Sequence, residues 1–326
     1  MKIAVILNRQ AGTLSGLPFD AAAATIADAF RAQGAMVTVT GTDGPGCGPR
    51  IAEAARSDAD VVVVGGGDGT IATAVNLLMP AGKTVGFLPL GTMNLLTRDL
   101  NTPLDLDAAA VALAAGTIGA MDVGEVNGEV FLNASVLGLY PSVVQERERQ
   151  RSRLGLRKWP AMGLAMVKGL YRLPIVDARL DLGTEYGERL GTVRVRTPIL
   201  AVSNNPYAQG FGPVVRRTVL DSGKLGVYVA HHQDAWGMMR LMGRMMLGTW
   251  QRDQELDAFH STGLTVHSRR RHLRVANDGE VRKLKPPLVY GIRPKALRVL
   301  APQGAPLGGI PLAASGQQTE QHAGQR

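Results

Sequence analysis

The sequence predicts two domains: an α/β domain built on a doubly wound parallel sheet, and a mostly antiparallel β-sandwich with helical insertions. Over residues 1–122, short apolar runs alternate with segments of helical periodicity, which is the pattern of a parallel sheet with helices on both faces. From Asp122 onwards, apolar runs recur between turn residues without helices between them, which favours an antiparallel sandwich. A chain of 326 residues is also long enough for two domains.

The first domain is expected to alternate strands with helices. The predicted strands are 2–7, 36–40, 61–64 and 84–88. The predicted helices are 20–32, 50–57, one that begins at Ile71 and one that begins at Leu95. An open α/β sheet binds its ligands at the carboxyl ends of its strands, so the loops after these strands are the first place to look for a site.

The third strand and the glycines after it are the most informative stretch. Val61–Val64 is a run of β-branched residues typical of a strand buried on both faces, and it ends at three glycines, residues 65–67. A glycine turn that leads into a helix N-terminus can bind phosphate, because its N–H groups are unpaired and no Cβ blocks the anion. A carboxylate beside phosphate requires a cation, so Asp68 is expected to hold Mg²⁺ or to orient a reacting hydroxyl.

A second polar loop, residues 89–94, follows the next strand at the same edge of the predicted sheet. Two such loops at one edge favour a phosphate site over a purely structural turn. Spacing excludes two known nucleotide fingerprints. A dinucleotide G-x-G-x-x-G motif starting at Gly65 would need glycine where Thr70 stands, and a P-loop ending at 82–84 would need glycine where Leu77 stands.

The second domain is assigned to residues 123–292. The apolar runs that predict its strands are 130–134, 175–182, 192–203, 225–230, 264–267 and 271–276. Two helical insertions interrupt them: residues 143–173 are basic, and residues 236–250 are rich in methionine. Each is either packed on the sandwich or a surface that docks on an anionic membrane. Residues 293–300 predict a last strand that returns to the first domain, and the composition of residues 301–326 predicts a disordered tail.

Charge and composition narrow the class of partner. The net charge of +9 predicts an anionic partner, which is a nucleotide, an anionic lipid surface or nucleic acid. Nucleic acid is not expected, because basic and aromatic residues do not interleave on the predicted strands. The single cysteine, Cys47, excludes a disulfide framework and a cysteine zinc site. Without a signal-peptide pattern or an apolar run of ~18 residues, we expect a cytoplasmic protein that binds peripherally to membrane, with a homodimer as one candidate oligomeric state.

Three motifs in this sequence, at this spacing, resemble those of the diacylglycerol kinase catalytic-domain family of bacterial lipid kinases, which includes sphingosine kinases. They are Gly66-Gly67-Asp68-Gly69-Thr70, Gly91-Thr92-Met93-Asn94 and Asn277-Asp278-Gly279-Glu280. The resemblance extends over nearly the whole chain. It implies an ATP-dependent kinase that uses Mg²⁺ and transfers the γ-phosphate to a hydroxyl of diacylglycerol, a sphingoid base or a related lipid at a membrane surface.

The resemblance also implies roles for individual residues. Asp278 would be the general base, Glu280 would support it or the metal, and Asp68 would act beside them. A carboxylate within reach of the attacking hydroxyl agrees with the chemistry of phosphoryl transfer. The local sequence alone equally fits an ordinary hairpin turn at Asp278, tight and exposed. The residues implied in ATP binding are Asn8, Thr40, Gly65, Gly66, Gly67, Asp68, Gly69, Thr70, Ile71, Ala72, Gly91, Thr92 and Asn94.

Three segments depart from the pattern of the family. The first turn is Asn8-Arg9 where the family usually has Asn-Pro, which makes Arg9 available to phosphate. Asp221-Ser222-Gly223 stands where bacterial relatives have two consecutive aspartates linked to a structural Mg²⁺, so Asp221 is the remaining candidate ligand for a metal there. The turn over residues 205–212 also differs from the usual glycine-rich form, and this bears on the acceptor site.

Two other functions remain open from the sequence. An NAD kinase shares the glycine loop, although residues 86–92 differ from the Asn-x-Gly-x-Leu-Gly-Phe-Leu segment of that family. A non-catalytic regulator that binds nucleotide or lipid is the second, and the presence of both Asp68 and Asp278 counts against it.

Overall fold

The structure is a computed structural model of the 326-residue chain. It describes residues 1–14, 18–145, 173–185, 188–208, 216–232 and 234–309. Most of the basic insertion predicted over residues 143–173 therefore lies outside the described residues, as does the chain from residue 310.

The first part of the chain forms a parallel sheet covered on both faces by helices, which confirms the predicted fold class. The strands β1 to β4 are Lys2–Asn8, Met36–Thr42, Val61–Gly66 and Thr84–Pro89, in the spatial order β2-β1-β3-β4. The helices α1 to α5 are Phe19–Arg31, Cys47–Arg56, Asp68–Leu78, Leu95–Asp99 and Leu106–Ala114. One face of the sheet packs on α2 and α3, and the opposite face packs on α1 and α5.

The second part is an antiparallel sandwich, which is also as predicted. Its strands β5 to β9 are Thr117–Val126, Glu129–Phe131, Ala134–Gly138, Val176–Glu185 and Glu188–Thr197. Strands β10 to β15 are Ile199–Asn204, Leu225–Ala230, Leu256–Ser261, Gly263–His267, Leu273–Asn277 and Glu280–Leu284. One sheet has the order β12-β11-β10-β7-β14-β15, and its inner face packs on β8, β9 and β13 of the other sheet.

Strand β16, Leu288–Ala301, runs through both parts of the molecule. It pairs with β13 and β5 in the antiparallel sense, and its end pairs in parallel with β4 through Val299. The chain then continues in contact with the first part, because β17 (Gly308–Gly309) pairs with β5. The sequence assigns these residues to a tail, whereas the apolar side chains of Ala305 and Leu307 pack on the α/β core and hold the segment in place.

Helix α6, Ala235–Met246, lies in the methionine-rich segment and packs on the sandwich. Its buried side includes Met238 and Leu241, which contact Tyr228 and Trp250 beneath it. The opposite side exposes apolar side chains, namely Trp236, Met239, Met246 and, just after the helix, Leu247. Within the described ranges, no helix combines the length and apolar character needed to cross a bilayer.

Candidate active site

The two glycine loops predicted from the sequence touch each other at the carboxyl ends of β3 and β4. A Cβ atom added to Gly91 would lie 2.5 Å from the Cα of Gly67, so the backbones are in direct contact. The N–H of Leu90 donates to the carbonyl of Gly66 at 3.2 Å, which fixes one loop against the other. The close approach explains why glycine is required at position 91.

Helix α3 begins at this contact and directs its N-terminus to the loop. The N–H of Ile71 donates to the Gly67 carbonyl at 3.1 Å and closes the first helical turn. The N–H groups of Asp68, Gly69 and Thr70 precede that bond, so they are the ones oriented for an anion. Ile71 has a buried side chain and an N–H that is used inside the helix, so it contributes packing here, and its implied role in ATP binding stays a prediction. Ala72, one residue further along α3, is half-buried.

Polar side chains hold the two loops in shape. One oxygen of the Asp68 carboxylate accepts the N–H of Leu95 at 2.9 Å and ties α3 to the start of α4. Asn94 has positive φ and is buried, and its amide both accepts from and donates to the backbone of Gly91 at 2.8 Å. Asn8 reaches the hydroxyl of Thr70 at 3.4 Å from the end of β1. Asn94 therefore shapes its loop, instead of presenting its amide to a ligand.

Three other candidate residues lie in different surroundings. Thr92 is exposed at the tip of its loop. Thr40 pairs with Ile6 inside the sheet, two residues before the end of β1, and lines a groove beside α2. The guanidinium of Arg9 stacks 5.0 Å from the ring centroid of Phe19, so the arginine is engaged by an aromatic ring.

Asp278 lies in the β14–β15 turn with its side chain turned inward. Both Asp278 and Gly279 have positive φ, as a two-residue hairpin turn requires. The expected tight turn is present, and Asp278 is half-buried rather than fully exposed. One carboxylate oxygen accepts the N–H of Leu132 at 2.7 Å, and the other accepts those of Asn133 and Ala134 at 2.8 and 3.1 Å.

The environment of this carboxylate shifts its protonation equilibrium. Burial raises the pKa of Asp278 above its ordinary value, although the three N–H donors and the nearby Arg217 guanidinium act in the opposite direction. Glu280, in contrast, is exposed at the start of β15 and pairs with Arg282 at 3.2 Å. Asp278 therefore lies where burial and backbone donors act on its pKa, as is common at functional sites.

Comparison with known proteins assigns the chain to a family. Residues 2–126 match the family described as diacylglycerol kinase catalytic domain, and residues 149–301 match the YegS C-terminal NAD kinase beta sandwich-like domain. A Pseudomonas aeruginosa protein named "Probable lipid kinase YegS-like" is 30% identical over 274 residues, which is 79% of this chain and 82% of that protein. The chain belongs to the diacylglycerol kinase catalytic-domain family.

Other members of the diacylglycerol kinase catalytic-domain family align over less of their length. The proteins named diacylglycerol kinase from Staphylococcus saprophyticus and Bacillus subtilis are 29% and 25% identical, over 54% and 63% of this chain. The chain spans 57% and 66% of these two relatives. The crystal structure of a diacylglycerol kinase from Bacillus anthracis superposes with a TM-score of 0.67 at 18% identity, over 93% of this chain and 98% of that chain, so the fold is shared.

Asp221, where relatives in the diacylglycerol kinase catalytic-domain family have the first of two aspartates, lies beside Lys295, with the ammonium 3.9 Å from its carboxylate. Ser222, in the second position, donates its hydroxyl to Asn205 at 2.6 Å. No cluster of three or more metal-binding side chains forms among the residues that the structure describes. Lys295 offsets part of the charge of Asp221, and a metal at Asp221 stays a prediction.

Two buried charged residues near the site were missed by the sequence reasoning. Asp122 is fully buried next to Asp221, and burial raises the pKa of its carboxyl. Its only sequence signal is a carboxylate between the apolar residues Met121 and Val123. Arg217, 2% exposed, contacts both parts of the chain and has no local signal at all, because its partners are far away in sequence.

Proposed function

We propose that this protein is an ATP-dependent lipid kinase that transfers the γ-phosphate of ATP to a lipid hydroxyl. The observation that supports the proposal is the contact between Gly67 and Gly91 at the N-terminus of α3, an arrangement suited to binding phosphate through backbone N–H groups. Membership of the diacylglycerol kinase catalytic-domain family supports the same reaction, and so does the name of the Pseudomonas relative.

Each part of the site has a task in such a reaction. The N–H groups of Asp68, Gly69 and Thr70 would bind phosphate oxygens, assisted by the dipole of α3. The carboxylate of Asp68 is the kind of ligand that Mg²⁺ takes together with substrate phosphates, and the ion would neutralise phosphate charge when bound. The lack of side chains at Gly67 and Gly91 lets the two loops pack backbone against backbone beside the N-terminus of α3.

Asp278 would accept the proton of the attacking hydroxyl. A carboxylate has about four lone-pair sites, and three are used by the N–H groups of Leu132, Asn133 and Ala134. The remaining site is on the oxygen that accepts from Leu132. That oxygen is therefore the one we assign to the substrate hydroxyl, and the other oxygen anchors the side chain.

The reaction is tested by incubating the purified protein with Mg²⁺ and γ-labelled ATP against a panel of acceptors. The panel contains diacylglycerol, monoacylglycerol, ceramide, sphingosine and NAD. Label in one lipid supports the proposal and names the acceptor. Label in NAD instead would establish the competing NAD kinase function. NAD is in the panel because residues 149–301 match a domain described as NAD kinase beta sandwich-like. ATP binding without transfer to any acceptor would favour a regulator.

The pH dependence of transfer follows from the environment of Asp278. The base must be deprotonated to accept a proton, and burial raises the pKa of Asp278. Activity is therefore expected to be lost on the acid side at a pH above about 3.9, the ordinary aspartate value. The check is kcat/KM against pH, with circular dichroism at each pH to exclude acid unfolding. An acid limb at or below about 4 in a folded enzyme would contradict the assignment.

We further propose that the lipid is met at an anionic membrane, and an arginine face on the sandwich supports this. We define the arginine face as Arg179, Arg194, Arg196, Arg269 and Arg270, which line a groove of about 560 Å³. Arg179 and Arg194 are directly opposite on β8 and β9, and all five side chains are exposed. Such a cluster is attracted to anionic lipid headgroups, at roughly 1 kcal/mol per basic residue close to the surface.

Neutralising part of the arginine face is expected to weaken vesicle binding. Because two charges are lost, Arg194→Gln/Arg196→Gln should bind phosphatidylglycerol vesicles about 30-fold more weakly at low salt, measured by sedimentation. The control is Arg31→Gln/Arg56→Gln, which removes equal charge from α1 and α2 and should bind like the wild type. Equal loss in both variants would contradict a localised surface. Tighter binding to a DNA oligonucleotide than to vesicles would contradict the membrane as partner.

A further inference from the structure

Arg217, just before β11, is buried between the α/β part and the sandwich. Its Nε and Nη2 atoms lie 2.7 and 2.6 Å from one oxygen of Asp99, the last residue of α4. Its main-chain N–H donates to the other oxygen of Asp99 at 3.1 Å. Both side chains are almost completely excluded from solvent. The end of α4 is thus bound to Arg217 by both its backbone and its side chain.

The other side of the guanidinium binds the segment before β7. Nη1 donates to the carbonyl oxygens of Leu132 and Asn204 at 2.6 and 2.7 Å, and Nη2 donates to the side-chain oxygen of Asn133 at 2.9 Å. Leu132 and Asn133 are the residues whose N–H groups bind the Asp278 carboxylate. One peptide segment therefore presents its carbonyl side to Arg217 and its N–H groups to Asp278.

These contacts form a continuous connection between the glycine loops and Asp278. The glycine loop leads into α4, whose first N–H binds Asp68 and whose last side chain binds Arg217. Arg217 holds Leu132 and Asn133, and these hold Asp278. Given the proposed kinase function, we propose that Arg217 is a positioning residue that fixes the Asp278 carboxylate relative to the phosphate-binding loops.

The chemistry of the site explains why arginine stands there. A guanidinium has five donors in a planar fork, and here four acceptor groups on three segments use that fork. Lysine has the charge but neither the number nor the geometry of donors. A buried ion pair alone is weak evidence for stability. We therefore base the role of Arg217 on its connection to Asp278, and not on the ion pair itself.

The test uses full-length variants that avoid an orphaned buried charge. Arg217→Met/Asp99→Leu removes both charges at once, because replacing a buried ion pair by apolar residues often preserves folding. Arg217→Lys keeps the charge and loses the fork. Arg216→Met is the matched control, since Arg216 is the adjacent arginine and also contacts the end of α4, but from an exposed position.

The first readout is amide hydrogen exchange at Leu132, Asn133 and Ala134, which requires no substrate. We expect exchange at these amides to be about tenfold faster or more in the double variant, since the segment loses its anchor, and unchanged in Arg216→Met. The second readout is steady-state transfer. Here kcat should fall by about tenfold or more in the double variant and in Arg217→Lys, with KM for ATP unchanged within about twofold.

The outcomes separate the inference from the proposed function. If no acceptor is labelled by the wild type, the function fails, while the exchange data still decide whether Arg217 orders the segment at Asp278. If the double variant is folded, exchanges like the wild type at these three amides and keeps its kcat, the positioning role is overturned and the kinase assignment stands. If both variants show a higher KM for ATP and an unchanged kcat, Arg217 supports the nucleotide loops only. The positioning role at Asp278 is then overturned.

Discussion

Asp278→Asn is expected to lower the rate of phosphoryl transfer by about 10²- to 10⁴-fold without abolishing ATP binding. An amide cannot accept the proton of the attacking hydroxyl, and its NH₂ group would face N–H donors that now contact a carboxylate oxygen. The glycine loops, to which we assign phosphate binding, are on a different segment of the chain. The measurement is labelled-phosphate transfer to the best acceptor, together with ATP affinity by calorimetry.

The buried N–H groups make a stability control necessary for this variant. Leaving donors without good acceptors costs about 1–3 kcal/mol, so thermal unfolding and circular dichroism must show that Asp278→Asn is folded. Asp28→Asn is the matched control: it changes an exposed aspartate on α1 that pairs with Arg31, and it should leave the rate unchanged. Wild-type transfer by a folded Asp278→Asn protein would remove Asp278 from the role of base.

Gly91→Ala is expected to reduce ATP affinity by about tenfold or more. The added methyl group would lie 2.5 Å from the Cα of Gly67 and 2.9 Å from the side-chain oxygen of Asn94, so the two loops must separate. Overpacking of this kind costs about 1–3 kcal/mol, and here the displacement falls on the loops to which we assign phosphate binding. The measurement is the Kd of ATP by calorimetry, with Tm measured in parallel.

The control is a glycine at which an added Cβ would meet no close neighbour. Gly48, in α2, has open space where a Cβ would be added. Gly48→Ala should therefore bind ATP like the wild type and unfold at an equal or higher temperature, because alanine favours helix by up to about 1 kcal/mol. If Gly91→Ala also binds ATP like the wild type, the contact of the two loops is not part of the nucleotide site.

The fold and the glycine loops could be predicted because their signals are local. Val61–Val64 followed by glycines determines a buried strand and a turn whatever lies elsewhere in the chain, and the structure places β3 and α3 accordingly. The same holds for the hairpin at Asp278, where an Asp-Gly pair between strands suits positive φ. The observed ends of the elements differ from the predicted ones by a few residues. Helix α2, for example, is predicted to begin at residue 50 and begins at Cys47.

The enclosed environment of Asp278 could not be predicted, because it depends on distant residues. The donors to its carboxylate come from 144–146 positions earlier in the chain. Arg217 and Asp99 are 118 positions apart, and nothing in either neighbourhood indicates the pair. Burial and ion pairing of this kind arise when two domains meet, so a pattern read along the chain cannot contain them.

The path of β16 has a consequence for the order in which the molecule is made. Leu300 pairs with Gly86, so the strand that covers the open edge of β4 is synthesised more than 200 residues after it. At ribosomal rates of about 5–20 residues per second, that edge waits roughly 10 to 40 s for its neighbour. An uncovered edge strand can pair with other chains, which makes the unfinished protein a natural client for chaperones and a chain cut before β16 prone to aggregate.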